Sequence, residues 1–477
     1  MTPAAVDSYP MIIGGAEVTG ARATEIPLPY DGTVMALVHE GDAATLDRAI
    51  SAAAAAAPLM RAMTNAQRSD LLLRVRELVI RDAAELATII VFETGKPIRE
   101  ARIEADRAQQ ILLFAAMAAR DLCGEAIPMD GSPAGAGRLA MTVREPLGVI
   151  GAITPFNFPL NLTLHKVAPA IAGGNTVVHK PSEVTPVSAI RLARLFLEAG
   201  APAGAYNVVT GDGEAIGRAL VADPRIRMIT FTGSVAVGKE IRANAGLRRV
   251  TLELGGNAPV IIEPDADLTL AVERCVQGSF SYSGQVCISV QRIFVHERIA
   301  DEFLERFKAA TERLVMGHPL EDTTAIASLI SEDEAKRVES WIDDAVQKGA
   351  QRLTGGQRRR ATIAPAILSE VPDGARMSCG EVFGPVVGVN RYSDIDDAIA
   401  RANDTPYGLQ SGLFTRDIGR AFEIARKLEA GGVLINDVAA FRVDQMPYGG
   451  TKESGIGREG PRYAIEEMTE AKLICWR

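Results

Sequence analysis

Apolar positions fall into two regimes along the chain. Between about residues 43 and 122 they recur every three or four positions, as at Leu71, Leu72, Val75, Leu78 and Val79, the spacing that lines one face of a helix. Four helices are expected there, over 43–60, 65–81, 83–95 and 98–122. Thr94-Gly95-Lys96-Pro97 stops one helix and restarts the next. Arg102, Glu104, Asp106 and Arg107 lie on the last helix and read as a solvated face. Ahead of the helices, MIIGGAEV and GTVMALVHE predict short strands and turns over 11–40, ending at Gly41-Asp42, a helix cap.

From residue 148 short apolar runs alternate with helical segments. Strands are expected over 148–154, 176–179, 205–209, 228–231, 249–254 and 259–262, with helices over 162–172, 186–198, 215–221 and 237–244. Such alternation implies a parallel sheet covered on both faces, the nucleotide-binding class of α/β fold, with ligands at the carboxyl ends of the strands. A second α/β unit starts near 265, with helices over 268–280, 299–315, 332–348 and 394–403. Its strands are expected over 291–295, 366–369, 386–392, 412–414 and 432–435. Residues 123–147, rich in Gly and Pro, read as an extended hairpin suited to subunit contact. The tail 471–476 reads as a lone strand that needs a partner.

Composition narrows the function. The 477 residues exceed one core, so two or three domains are expected. A net charge of −9 argues against general nucleic-acid binding. No run of roughly 18 apolar residues occurs, and the N-terminus lacks a signal-peptide pattern, so no membrane attachment is expected. The five cysteines are odd in number and show no C-x-x-C spacing. A disulfide framework or structural zinc is therefore not expected, no metal is assigned, and a reducing cytoplasm fits best.

Candidate chemistry centres on Glu253, at the end of an apolar strand leading into Gly255-Gly256-Asn257, and on Cys287, after Ser283-Gly284-Gln285. A thiol nucleophile with a separate carboxylate base suits acyl transfer. A free Cys is more often a small buried hydrophobe, which is the reading given to Cys275, Cys379 and Cys475. Three loops follow strands of the first sheet. Thr154-Pro155-Phe156-Asn157-Phe158-Pro159 holds Asn157 rigidly, either as a turn residue or as an oxyanion donor. His179-Lys180-Pro181-Ser182-Glu183 can meet a ribose or stand on the surface. Phe231-Thr232-Gly233-Ser234 opens a helix whose amides suit a pyrophosphate. Gly211-Asp212-Gly213 is a further turn after a strand, and Glu381 lies in a Gly/Pro loop before Phe383.

Pro155-Phe156-Asn157-Phe158-Pro159, Lys180-Pro181-Ser182-Glu183, Phe231-Thr232-Gly233-Ser234, Glu253-Leu254-Gly255-Gly256-Asn257, Gly284-Gln285-Val286-Cys287 and Glu381-Val382-Phe383-Gly384-Pro385 occur in this order. Together they resemble the aldehyde dehydrogenase superfamily over nearly the whole chain. The resemblance implies an α/β fold with a Rossmann-like nucleotide-binding domain (1–122 and 148–254), a catalytic domain (255–440) and an oligomerisation arm (123–147 and 460–477), in a homodimer or homotetramer.

It implies Cys287 as nucleophile, Asn157 with the Cys287 N–H as oxyanion hole, and Glu253 as the base that hydrolyses a thioester. It further implies a cofactor site formed by Thr154, Pro155, Phe156, Lys180, Ser182, Glu183, Gly213, Phe231, Gly233, Ser234, Leu254, Glu381 and Phe383. NAD is the expected cofactor, since Glu183 repels a 2′-phosphate, and NADP is the alternative because Lys180 offsets that charge. Glu253 favours hydrolysis over transfer to coenzyme A. A coenzyme A acylating enzyme and a non-catalytic binding protein on the same fold are the competing readings.

Gln285–Arg292 and Phe441–Gly450 are similar to the lactaldehyde branch, with its relatives acting on sulfolactaldehyde, phosphonate aldehydes and glyceraldehyde 3-phosphate. The substrate expected is therefore a small hydroxylated or anionic aldehyde. Val286, where several of these relatives carry an arginine, argues against a phosphate. Arg107 and Arg442 are candidate holders of an anionic tail; a buried arginine pair facing the pocket without partners needs an anion. Structural ion pairs are the alternative.

Overall fold

The computed structural model describes residues 7–477. Four helices open the main body: Ala43–Ala62, Asn65–Arg81, Ala83–Thr94 and Ile98–Asp121. Asp42 caps the first through the Thr45 N–H at 2.8 Å. Thr64 and Gln67 form a reciprocal capping box on the second. Leu71, Leu72, Val75 and Val79 are fully buried, as their spacing predicts, each such burial stabilising by about 1.5–3 kcal/mol. Gly95, in the left-handed region at φ 69°, ends the third helix. The presumed solvated face of the fourth helix needs correcting. Glu104 is buried, because Lys96 and the N-terminal amides of the helix Pro159–Ala172 converge on its carboxylate.

An eight-stranded sheet runs in the order Gly455–Ile456, Arg249–Glu253, Ile226–Thr232, Val149–Ile153, Thr176–Lys180, Tyr206–Val208, Met11–Ile13, Ala16–Val18. Its five middle strands are parallel and the flanking ones antiparallel. Helices Asn65–Arg81, Ile98–Asp121, Pro159–Ala172 and Val187–Glu198 contribute to one apolar cluster with this sheet. Ala43–Ala62, Gly213–Ala222 and Val235–Asn244 contribute to a second.

The strand Ala258–Ile262 does not continue this sheet, as its place in the alternating run suggested. It joins a seven-stranded sheet ordered Gln351–Thr354, Ala366–Ser369, Val386–Tyr392, Val290–His296, Ala258–Ile262, Gln410–Phe414, Gly432–Ile435. Gly255-Gly256-Asn257 is the crossing between the two sheets. Asn257 fixes it, donating to the Met377 and Gly380 carbonyls at 3.1 and 2.7 Å.

Residues 123–147 form the expected hairpin, in which Ala126–Ile127 pairs with Leu139–Pro146. The C-terminal strand Thr469–Trp476 is not alone. It pairs along its full length with Leu139–Pro146, and among the described residues its own outer edge is open. Among the described residues no helix is long and apolar enough to cross a membrane, and all five cysteines are free.

Candidate active site

The parallel register brings several strand ends together. Ile153 pairs with Lys180 and Phe231, and Thr232 pairs with Glu253. Thr154, Lys180, Gly233-Ser234 and Glu253 therefore stand at one carboxyl edge of the first sheet, where α/β folds bind ligands. Val290 pairs with Ala258, so Cys287, just before it, stands at the opening of the second sheet.

The turn before Cys287 is left-handed over three residues: Tyr282, Ser283 and Gly284 have φ of 48°, 52° and 73°. Two of them carry side chains, at a cost of order 1 kcal/mol or more each. Surrounding bonds hold the turn. Ser283 Oγ donates to the Ala327 carbonyl at 3.1 Å, and the Ile330 N–H donates to Gln285 Oε1 at 2.8 Å. The result is a partly exposed thiol on a cavity of about 480 Å³. Cys275, by contrast, is buried in the core, as its apolar context predicts, whereas Cys379 and Cys475, given the same reading, are exposed.

Cys287 Sγ lies 3.0 Å from the Tyr448 hydroxyl. Burial pushes the thiol up to about 12, with the Tyr448 contact pulling the other way. Asn157 is buried on the same cavity, and its Nδ2 donates to the Gln285 carbonyl at 3.1 Å. That amide keeps a second hydrogen for another acceptor. Lys96 braces the loop: its ammonium sits 3.8 Å over the Phe158 ring and 4.4 Å over the Tyr282 ring while paired to Glu104.

Glu253 is 2% exposed, and neither of its carboxylate oxygens has a partner among the described residues. Burial, and then the neighbouring Glu459, push its carboxyl well above the usual range. Glu459 is equally buried, but burial loses there to Lys166 (Nζ 2.8 Å) and Arg442 (Nη2 3.1 Å), which hold it down at about 2.

On the far side, Ser234 caps the helix Val235–Asn244 through the Val237 N–H at 3.4 Å. Ser234 lines the Cys287 cavity, and Val237 lines a second cavity of about 660 Å³ with Glu183 and Gly213. Glu381 accepts the Gly256 N–H at 3.1 Å, and burial raises it to about 7. Phe383 meets Phe156 edge-on, at 5.8 Å between ring centres.

The model for the aldehyde dehydrogenase family matches residues 18–474. The chain belongs to the aldehyde dehydrogenase family. It is 45% identical over 469 residues to a 3-sulfolactaldehyde dehydrogenase of Priestia aryabhattai, covering 98% of each chain. Among solved structures it is similar to aldehyde dehydrogenase 21 of Physcomitrella patens in complex with the reaction product succinate (40% identity, 99% of each chain, TM-score 0.97). It is also similar to glyceraldehyde-3-phosphate dehydrogenase GapN of Methanocaldococcus jannaschii complexed with NADP (41% identity, 96% of this chain and 99% of that one, TM-score 0.92). The fold and the NAD(P)-dependent aldehyde dehydrogenase assignment read from the six motifs stand.

The expected site residues of the dehydrogenase divide. Pro155, Phe156, Gly233, Ser234, Leu254, Glu381 and Phe383 line the Cys287 cavity, and Glu183 and Gly213 line the second. Lys180 is buried and pairs with Glu183 at 3.5 Å. Phe231 instead packs into the sheet's apolar cluster, and the Thr154 hydroxyl is spent on His179 at 2.8 Å. Ser182 is half-buried beside Lys180.

Arg107 and Arg442 both line the cavity, yet neither lacks a partner: Arg107 holds Asp444 at 2.6 Å and Arg442 holds Glu459. The expectation that facing arginines need an anion is corrected by these carboxylates. Sequence reasoning missed Asn161, His165, Tyr448, Asp444 and Glu459. The first two follow Asn157 at four-residue intervals, and that polar period in a mostly apolar helix was the available signal.

Proposed function

We propose that the dehydrogenase oxidises a small hydroxylated or anionic aldehyde to its carboxylic acid, with NAD as hydride acceptor and Cys287 as nucleophile. The observation that carries this is a partly exposed Cys287 sharing one cavity with Asn157, next to the strand that ends in the unpaired carboxyl of Glu253. The Cys287 thiol gives its proton to water, and the Tyr448 phenol, held protonated by burial, donates to the resulting thiolate. Sγ then bonds to the aldehyde carbon as the carbonyl π pair moves to oxygen. Asn157 Nδ2 and the Cys287 N–H hold the oxyanion. Loss of hydride from that carbon leaves a thioester on Sγ. Glu253, once ionised, takes a proton from the water that cleaves it.

The cofactor fits this chain. Gly233 and Gly255 keep the cradle open: a Cβ at Gly255 stands 2.6 Å from Glu381 Oε2, and one at Gly233 runs into the Phe231 ring. NAD, when bound, would supply the hydride acceptor. The N-terminus of Val235–Asn244 and Ser234 suit its pyrophosphate, Lys180 and Glu183 one ribose, and Glu381 the other. Glu183 favours NAD by repelling a 2′-phosphate. The anionic alternative rests on the likeness to the 3-sulfolactaldehyde dehydrogenase, since Arg107 and Arg442 at the cavity wall already hold carboxylates.

The two sheets divide the work, the first holding the nucleotide and the second the nucleophile. Exposed Leu473, Ile474 and Trp476 on the open edge of the arm support a homodimer or homotetramer. The five free cysteines support a cytoplasmic enzyme.

Reduction of NAD and NADP by a panel of neutral and anionic aldehydes tests the proposal. Turnover is expected without coenzyme A and absent in Cys287→Ala. Turnover that requires coenzyme A, or that persists in Cys287→Ala, overturns it. A Cys287 unreactive toward thiol reagents with and without NAD supports a binding protein instead.

A further inference from the structure

Part of the Cys287 cavity holds polar atoms that the oxidation itself leaves unused. The helix Pro159–Ala172 is buried along its whole length, and most of its side chains are apolar. Two residues one turn apart on its cavity face are not: Asn161, 2% exposed, and His165, 1% exposed. Among the described residues both Asn161 Nδ2 and Asn161 Oδ1 lack a partner, as does His165 Nδ1. Arg442 Nε, on the same cavity, is also unpaired. Each such buried group costs about 1–3 kcal/mol while it stays unsatisfied.

The hydrogen-bond roles follow from what surrounds the ring. His165 Nε2 lies 3.2 Å from Asp444 Oδ1. Asp444 also holds Arg107, and His165 and Arg107 together keep its carboxyl ionised. An ionised carboxylate only accepts, so Nε2 carries the hydrogen. Burial, and then Arg442, keep the ring from taking a second proton. His165 Nδ1 is therefore a bare acceptor, and a group that satisfies it must donate. Asn161 Nδ2 and Arg442 Nε, on the same cavity, are donors, so a group bound there is also offered hydrogens to accept. A carboxylate or sulfonate answers the second demand and not the first. A hydroxyl answers both.

We infer that Asn161 and His165 form a hydroxyl-binding subsite, and that the enzyme selects aldehydes carrying a hydroxyl on their own chain. This rests on the reading of the cavity as the aldehyde site. Asp444 acts as a positioning residue, since it fixes which ring nitrogen accepts. A site built to hydrogen-bond a hydroxyl discriminates strongly against the analogue lacking it, because its polar groups are then left buried and unpaired.

The test compares kcat/KM of the wild-type enzyme with NAD for 2-hydroxypropanal, 3-hydroxypropanal and propanal. At least one hydroxylated member is expected to exceed propanal by about 100-fold or more. Asn161→Leu and His165→Phe are each expected to reduce that ratio at least about tenfold. Asp444→Asn, which can present a donor to Nε2 and so turn Nδ1 into a donor, is expected to reduce it as well. Inhibition of the wild-type enzyme by lactate and by propionate gives a check that needs no variant, with lactate the tighter. Equal kcat/KM for all three aldehydes, together with equal inhibition by the two acids, overturns the subsite while leaving aldehyde oxidation intact. No oxidation of any aldehyde overturns the functional reading beneath it.

Discussion

Glu253 and Glu459 are both buried carboxyls beside the same cavity, and their surroundings push them in opposite directions. Glu459 has two cations within hydrogen-bond distance and is held down at about 2. Glu253 has none and is pushed well up. Burial acts on both in the same sense, so partners decide the difference. A carboxylate held down between Lys166 and Arg442 is a poor proton acceptor. A carboxyl pushed well up, with neither oxygen engaged among the described residues, is a better one once ionised. On the proposed mechanism the pair separates a counterion from a base, as environments that split two titratable groups commonly do.

The largest expected effect comes from removing the free carboxyl. Glu253→Gln is expected to lower steady-state turnover by about 1,000-fold or more while NAD binding by fluorescence titration is retained. Next is loss of the fixed one. Glu459→Gln leaves Lys166 and Arg442 without their carboxylate and is expected to cost about 3–5 kcal/mol in denaturant unfolding. It also removes a charge that raises Glu253, so the rise of kcat with pH is expected to move to lower pH. Lys166→Met moves that rise the other way, because a cation that stabilises ionised Glu253 is gone. In the wild type, kcat/KM is expected to increase with pH, since Cys287 and Glu253 are both raised and both act deprotonated.

Glu93 is a third buried carboxyl, raised to about 8 chiefly by burial although Ser188 and Val187 donate to it. Its folded value lies above its unfolded one, near 4.5. The stability it contributes is full below about pH 4.5 and is lost as pH rises toward 8, at up to roughly 1.4 kcal/mol per unit. Glu93→Gln is expected to remove that slope from a pH series of urea midpoints. The smallest effect is at the surface: Glu183→Gln is expected to shift the NADP-to-NAD ratio of kcat/KM toward NADP by about tenfold, as screened single charges do.

The alternation of strands and helices, and the motif residues at strand ends, were legible because they are local. Period and turn chemistry encode them directly. Glu104 was not, since its burial depends on Lys96 and on amides of a helix some 50 residues on. The partners of Arg107 and Arg442 were hidden for the same reason: Asp444 and Glu459 reach them through tertiary folding. The strand Ala258–Ile262 was legible as a strand and not as a member of its sheet, because two glycines can turn the chain onward or across. Tyr448 lay within a stretch compared only for its resemblance, and nothing in one sequence sets its hydroxyl against Cys287.

The central claim is that an acyl group passes through Cys287 and is released by water activated at Glu253. Intact mass spectrometry of Glu253→Gln, mixed with NAD and a turned-over aldehyde and quenched in acid, tests it most directly. The account predicts a stoichiometric acyl adduct that maps to the peptide containing Cys287 and forms with one equivalent of NADH. An unmodified Cys287 in a variant that still turns over at the wild-type rate contradicts it.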